Sequence, residues 1–231
     1  MGDGGERRTE LHALLLLQQC GGGGLRRGAN IGKWSTQVLN INPNLHIHAF
    51  EPTPRTFVKL QNNLVGKPVA LNQCAVGARQ GEATLHLTDH SQTNTLVGTN
   101  QAVDPGLTVQ VKVDTLDDYC ARNAVESIDY LKIDVEGYEM EVMLGAESLL
   151  SSGQIGLIHF EYGDQWMNAR RYLRDMFDLC RKHRYQLYKF YPKHVMHVPK
   201  YDSHYETFRV TYWLAVSPTM IEAVAPYARK G

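Results

Sequence analysis

The sequence predicts an α/β protein with a mostly parallel sheet, and three observations carry that expectation. From Gly28 onward, short apolar segments alternate with longer amphipathic ones, the pattern of successive βαβ units. The run 128–135 (IDYLKIDV) is largely apolar and bounded by acidic residues, as strands buried on both faces are. Two late segments, 185–191 and 208–216, are joined by a connection too short for a crossover helix, so they form an antiparallel pair.

In chain order, residues 11–17 are leucine-rich and lead into four consecutive glycines, Gly21, Gly22, Gly23 and Gly24. Such a run is costly in backbone entropy inside a helix or strand and reads as a flexible joint. Residues 1–27 are therefore an atypical N-terminal segment and residues 28–231 one domain. The turn Gly28-Ala29-Asn30-Ile31-Gly32 precedes a helix at 33–39. A strand at 45–50 (LHIHAF) stops at Glu51-Pro52-Thr53-Pro54, where prolines forbid ladder continuation and Pro54 suits the first turn of a helix over 54–64. Strands follow at 69–76, 83–87 and 107–113, with a helix at 116–123 behind Asp114-Thr115. The strand 128–135 leads to a helix at 138–150. The strand 155–162 leads to a helix at 168–183 that turns Tyr172, Met176, Phe177 and Leu179 inward.

The 231 residues carry 24 Lys+Arg against 24 Asp+Glu, and 43% are hydrophobic. A single domain of that size buries roughly 70–75% of its unfolded surface and needs neither disulfide nor metal staple. Zero formal charge removes the general pull toward nucleic acid or anionic lipid. The longest apolar run, 13–17, is far too short for a bilayer span and precedes no small-x-small cleavage site, so a cytoplasmic location is expected. Cys20, Cys74, Cys120 and Cys180 form no C-x-x-C pair and read as reduced core thiols. Oligomeric state leaves no signature in the chain.

Chemistry concentrates at the ends of strands. Gly28 and Gly32 let backbone N–H groups approach a ligand where a strand turns into a helix. Glu51, about twenty residues on at the end of the next strand, is placed to accept both hydroxyl hydrogens of a ribose. The pair fits an adenosine-containing ligand, either a nicotinamide dinucleotide or S-adenosylmethionine. Asp134 and Glu136 reach the same rim ahead of Gly137, although Glu136 and Glu139 are also the first-turn acids that a helix dipole favours. His194 and His197, with His183 and His204 nearby, lack a supporting carboxylate or thiolate in the same segment, so no metal site is expected. Aromatic residues between 185 and 213 belong mainly to sheet and core, while the loop 192–206 is suited to stacking on an acceptor ring.

The blocks GANIGKWS, AFEPTP, NQCAVG and above all LKIDVEGYEMEVMLGA resemble the FkbM family of S-adenosylmethionine-dependent methyltransferases, over residues 28 to about 216. The resemblance implies a Rossmann-like, seven-stranded sheet with its last strand antiparallel, and methyl transfer, most often to a hydroxyl oxygen. It places Gly28, Asn30 and Gly32 at the methionine and ribose end, Glu51 on the ribose hydroxyls, and Cys74, Ala75 and Val76 beside the adenine. Asp134 falls beside the methionine moiety and the transfer centre. An alcohol acceptor needs a base; Glu161, nearer the end of its strand, is the first candidate and His159, two residues before it on the same face, the second. The acceptor expected is a small molecule or a glycan-like hydroxyl. One departure stands out: the family has an apolar strand ending in Asp-Val before Gly-Ala-Asn, and here Arg26 and Arg27 occupy those positions. The first strand is therefore expected to be altered or missing, and loss of that acid weakens cofactor binding by roughly tenfold to a hundredfold. An impaired cofactor-binding homologue is accordingly the second reading. A nicotinamide dehydrogenase is disfavoured because its fingerprint has no counterpart of LKIDVEG. A base-methylating nucleic-acid enzyme is disfavoured because no Pro-Pro-aromatic turn follows Asp134.

Overall fold

A computed structural model describes residues 23–27, 29–88, 94–97, 107–191 and 193–230. Gly28, Cys20 and the leucine-rich stretch 11–17 lie outside these described residues. The architecture is α/β, with two sheets: one of nine strands and one of three. In the large sheet β1 (Gly23–Arg27), β2 (His46–Phe50), β3 (Val69–Asn72), β7 (Ile128–Ile133) and β8 (Ile155–Tyr162) are mutually parallel. β11 (Thr211–Val216) runs antiparallel between β8 and β9 (Gln186–Tyr191), as expected for the late pair. β10 (His194–His197) and β12 (Ala228–Lys230) extend the sheet beyond β9, so it has nine strands rather than seven. The small sheet is β4 (Ala75–Val76), β6 (Thr108–Asp114) and β5 (Gly81–His86), in that order.

The first strand is present, against expectation. Gly23–Arg27 pairs with β2 on one side and β7 on the other, at the centre of the large sheet, so its two last glycines are part of a strand and not of a joint. Strand formation here owes little to local propensity, since Gly-Gly-Leu-Arg-Arg has neither β-branched residues nor alternation. It comes from two flanking strands that are themselves strongly apolar: Tyr130, Leu131 and Ile133 in β7 and Ile47, Ala49 and Phe50 in β2 are all buried. The sheet therefore begins before Gly28, the expected start of the domain.

Helices form where apolar residues recur at helical spacing. α1 (Lys33–Ile41) buries Trp34, Val38 and Leu39, and α2 (Pro54–Asn63), opened by Pro54 in its first turn, buries Phe57 and Leu60. α3 (Leu116–Arg122) is capped by the Thr115 hydroxyl, which accepts from the Asp118 N–H at 3.0 Å. The helix expected over 138–150 is two helices, α4 (Glu139–Leu144) and α5 (Glu147–Ser151). The cause is a contact invisible in the local sequence: a Cβ on Gly145 would stand 2.0 Å from the Gly77 carbonyl oxygen, so two backbones meet there and the helix yields. The Asp117 carboxylate then caps the second piece, accepting from the N–H groups of Ser148 (2.9 Å) and Leu149 (3.1 Å). The helix expected over 168–183 is α7 (Leu173–Lys182), which begins five residues later, after a separate short helix α6 (Gln165–Asn168). Met176, Phe177 and Leu179 of α7 are buried, whereas Tyr172, expected to point inward, is half exposed ahead of its first turn.

Strand order reverses at β1: the chain proceeds from β1 through β2 to β3 on one side, and from β7 to β8 on the other. Ligands of open α/β sheets bind outside the carboxyl ends of the strands at such a switch point. Asn30, Glu51 and Asp134 all follow the ends of the three strands that meet there.

Candidate cofactor-binding site

Glu51 follows β2 and is only 6% exposed. Its Oε2 accepts the N–H of Asn30 at 3.0 Å and its Oε1 that of Thr53 at 2.9 Å, so one carboxylate ties the glycine-flanked turn to the proline turn. Asn30 takes a left-handed φ of 47°, and its Oδ1 accepts the Ile31 N–H at 2.7 Å. The Glu51 N–H in turn donates to the Asn72 carbonyl at 3.0 Å. Beneath it, the Tyr119 hydroxyl lies 2.7 Å from His48 Nδ1 and 3.1 Å from Asn72 Nδ2. Glu51 thus meets Asn30 directly, with Gly32 two residues further along the same turn, while Asn72 and Tyr119 beneath it carry no motif in the sequence.

Cys74 is half-buried, and Ala75 and Val76 are fully buried in β4. Val76 belongs to the main core with Phe50 and Leu116, and Ala75 packs with Leu85, Val111 and Val113, so the side chains of both are taken up by packing.

At the end of β7 the Lys132 ammonium, its side chain 5% exposed, lies 2.6 Å from Asp134 Oδ2. A lysine inside an otherwise apolar run, two residues before an acid and on the same strand face, was the signal that sequence reading passed over. Next to it the chain turns sharply. Glu136 has φ 55° and Gly137 φ 96°, and a Cβ on Gly137 would come within 2.7 Å of the Gln165 carbonyl oxygen. Glu139, at the start of α4 and 1% exposed, accepts the Val135 N–H through Oε1 at 3.0 Å, while its buried Oε2 has no hydrogen-bond partner among the described residues. Burial, reinforced by the charges of Asp134, Glu161, Glu139 and Asp164, pushes the Glu136 carboxyl up to about 9. Burial also dominates at Glu139 and takes it to about 8 against the pull of its backbone N–H partners. Burial and like charge thus favour the protonated form of both carboxyls in this turn.

The two candidate bases on β8 fare differently. His159 is 2% exposed, with Nδ1 2.8 Å from the Tyr130 hydroxyl and its ring 4.8 Å from Phe190 and 5.7 Å from Tyr212. It is enclosed in an aromatic layer below the rim. Glu161 is half-buried, and its charge acts on both Glu136 and Glu139, which places it beside the acidic turn. On the far side of the rim, Glu206 accepts from the hydroxyls of Tyr162 (2.6 Å) and Tyr201 (3.1 Å) and from the N–H groups of Leu173 and Arg174 (both 3.1 Å). That carboxylate fixes the loop 198–210 to the start of α7.

His194 stacks on Tyr191 at 5.2 Å, His197 lies 4.9 Å from the Tyr188 ring, and His183 and His204 pair with Glu147 and Asp202. Among the described residues no group of three His, Cys, Asp or Glu side chains is placed to hold a metal ion. Among them, too, no helix is long and apolar enough to cross a membrane.

The Asn30 turn, the buried Glu51 and the acidic turn after β7 thus lie together at the strand-order reversal of a Rossmann-like sheet, the position at which open α/β sheets take their ligands. The sequence model of the methyltransferase FkbM domain matches residues 27–187, and the chain belongs to that family. Its relatives include the 2-O-methyltransferase NoeI of Sinorhizobium fredii (strain NBRC 101917 / NGR234), 26% identical over 152 residues, 60% of this chain and 62% of that protein. Another is the 31-O-demethyl-FK506 methyltransferase FkbM of Streptomyces tacrolimicus, 32% identical over 149 residues, 52% of this chain and 57% of that protein. The chain thus spans less than two thirds of the length of either. Among solved structures it resembles a precorrin-6y C5,15-methyltransferase from Geobacter metallireducens GS-15, at 15% identity and a TM-score of 0.45 over 90% of this chain and 88% of that one.

Proposed function

We propose that the chain is an S-adenosylmethionine-dependent methyltransferase that methylates a hydroxyl oxygen on a small-molecule or glycan-like acceptor. The observation that carries this reading is the pair of acid-bearing turns, Glu51 and Asp134, on either side of the strand-order reversal in an FkbM domain. Both relatives described above are named for methylation at oxygen.

The residues present suit this cofactor. Glu139, whose buried Oε2 has no hydrogen-bond partner among the described residues, and Glu136, whose charged form burial and like charge disfavour, form surroundings that a cationic ligand suits. S-adenosylmethionine brings an ammonium group and a methyl carried on a positively charged sulfur. Glu51, with both oxygens already anchored by backbone N–H groups, retains lone pairs for the ribose hydroxyls. Asp134, held by Lys132, meets the cationic end. Asn30 and Gly32 supply the close-approaching turn, Gly28 joins them by its place in the sequence alone, and Cys74, Ala75 and Val76 border the base. Glu161 takes the proton of the acceptor hydroxyl as it attacks, and the buried His159 supports the strand through Tyr130. Glu161→Gln is expected to lower turnover at least a hundredfold with cofactor affinity within threefold of the parent; an unchanged rate removes Glu161 from the chemistry.

A second reading, an impaired cofactor-binding homologue, draws on Arg26 and Arg27 in the central strand, where Arg26 pairs in register with Ala49 and Lys132. Calorimetric titration with S-adenosylmethionine and S-adenosylhomocysteine separates the two, run on this chain and on Arg26→Asp. Micromolar binding by the unchanged chain supports the enzyme; binding only after the substitution supports the impaired homologue.

A further inference from the structure

The chain leaves the large sheet for the small one after β3, and the small sheet does more than cover a flank. Beyond β5, residues 94–97 return to it: the His86 N–H donates to the Thr95 carbonyl at 2.9 Å, and the Thr95 N–H to the His86 carbonyl at 3.1 Å. This bridge delivers two side chains to the two acid-bearing turns. Asn94 Oδ1 accepts the Thr88 N–H at 2.9 Å, which orients the amide, and its Nδ2 donates to Thr53 Oγ1 at 3.3 Å. Thr53 is the residue whose N–H is held by Glu51. Thr95, 2% exposed, donates its hydroxyl to the Glu136 carbonyl at 2.7 Å and accepts the Val97 N–H at 3.0 Å.

A continuous line of hydrogen bonds therefore runs from Glu51 through Thr53 and along the backbone from Asn94 to Thr95, ending on Glu136. The far end needs such support. Glu136 is a non-glycine residue at φ 55°, a strained conformation that persists only where its surroundings impose it. Thr95 acts from one side of that turn and Glu139, through the Val135 N–H, from the other.

We infer that Asn94 and Thr95 are positioning residues that set the geometry of the two acid turns for cofactor binding, Asn94 on the ribose side and Thr95 on the side of the cationic methionine. The inference rests on the reading of the crevice as an S-adenosylmethionine site, and it predicts a division of labour that general destabilisation does not. Adenosine needs the Glu51 turn alone, while S-adenosylmethionine needs both turns.

The test is calorimetric titration of the full chain with S-adenosylmethionine and with adenosine, for the parent, Thr95→Val, Thr95→Ser and Asn94→Ala. Thr95→Val should weaken S-adenosylmethionine binding about tenfold or more and leave adenosine within threefold, because a group misplaced by an ångström loses most of its interaction. Thr95→Ser, which keeps the hydroxyl, should restore parental binding. Asn94→Ala should weaken both ligands in equal proportion, and it carries the test alone if Thr95→Val does not fold. Equal losses of both ligands in Thr95→Val, or parental binding in a folded Thr95→Val, overturn the inference; so does parental binding by Asn94→Ala. A parent chain that binds neither ligand overturns the cofactor reading itself, and this inference with it.

Discussion

At the end of β2, Glu51 is almost wholly buried and each of its oxygens holds a backbone N–H; at the end of β7, burial and four neighbouring carboxylates act on Glu136 in the same direction. Both turns place acids at the same switch point, yet the first has its donors built in and the second keeps a proton instead. Burying a carboxylate is tolerated when fixed donors replace water, and without them the group neutralises. Lys132 offsets one charge of the acidic turn, that of Asp134.

The largest effect expected from breaking this contrast is at Asp134. Asp134→Asn leaves the buried Lys132 ammonium without its carboxylate, and a buried pair broken on one side costs about 3–5 kcal/mol. The thermal midpoint should fall by roughly 2–4 °C for each kcal/mol lost, and S-adenosylmethionine binding should drop by about a hundredfold or more. Adding Lys132→Met should return most of the stability and none of the binding. Parental affinity in that double variant would take Asp134 out of the site. Next in size is Glu51→Gln, which sets an amide NH2 against a backbone N–H. A hydrogen bond to a charged group is worth about 1.5–3 kcal/mol, so adenosine and S-adenosylmethionine should both bind roughly tenfold to a hundredfold more weakly in calorimetry. A loss confined to S-adenosylmethionine would mean that the two turns do not divide as described.

The smallest effect is on pH dependence. Glu136 holds its proton in the folded chain to about 9, against an ordinary value of 4.5. Between those limits the folded state carries a proton that the unfolded state has released, so stability should fall as pH rises through that window. Glu136→Gln should flatten the fall, with a thermal midpoint that changes less between roughly pH 6 and 9 than the parent's. A cation favours the ionised carboxyl, so S-adenosylmethionine affinity should rise with pH toward 9 in the parent and less so in the variant; S-adenosylhomocysteine, without the sulfonium charge, should show a weaker trend.

Strands whose own residues dictate burial were legible in advance: the run 155–162 forms β8 at those bounds because seven of its eight residues are apolar, aromatic or histidine around one acid. The placement of Glu51 directly after its strand and of Asp134 at the end of its own was legible too, although β7 stops at Ile133, two residues short of the expected bound. What escaped was set from far along the chain. β1 is a strand because of β2 and β7, not because of its glycines and arginines. The helix over 138–150 breaks because of Gly77, and the Glu136 turn is fixed by Thr95 and by the carbonyl of Gln165. The proton on Glu136 depends on how deeply those segments bury it, which no spacing of acids reveals.

The meeting of Gly77 and Gly145 bears on how the molecule can be rebuilt. α4, which carries Glu139 into the acidic turn, ends against the backbone that enters the small sheet, with no room for even one methyl group between them. A chimera that exchanged residues 75–114 for another module would have to reproduce that bare crossing as well as the strand order. Redesign is less constrained in the loop 198–210, which is fastened to α7 by one carboxylate and leaves the crossing untouched.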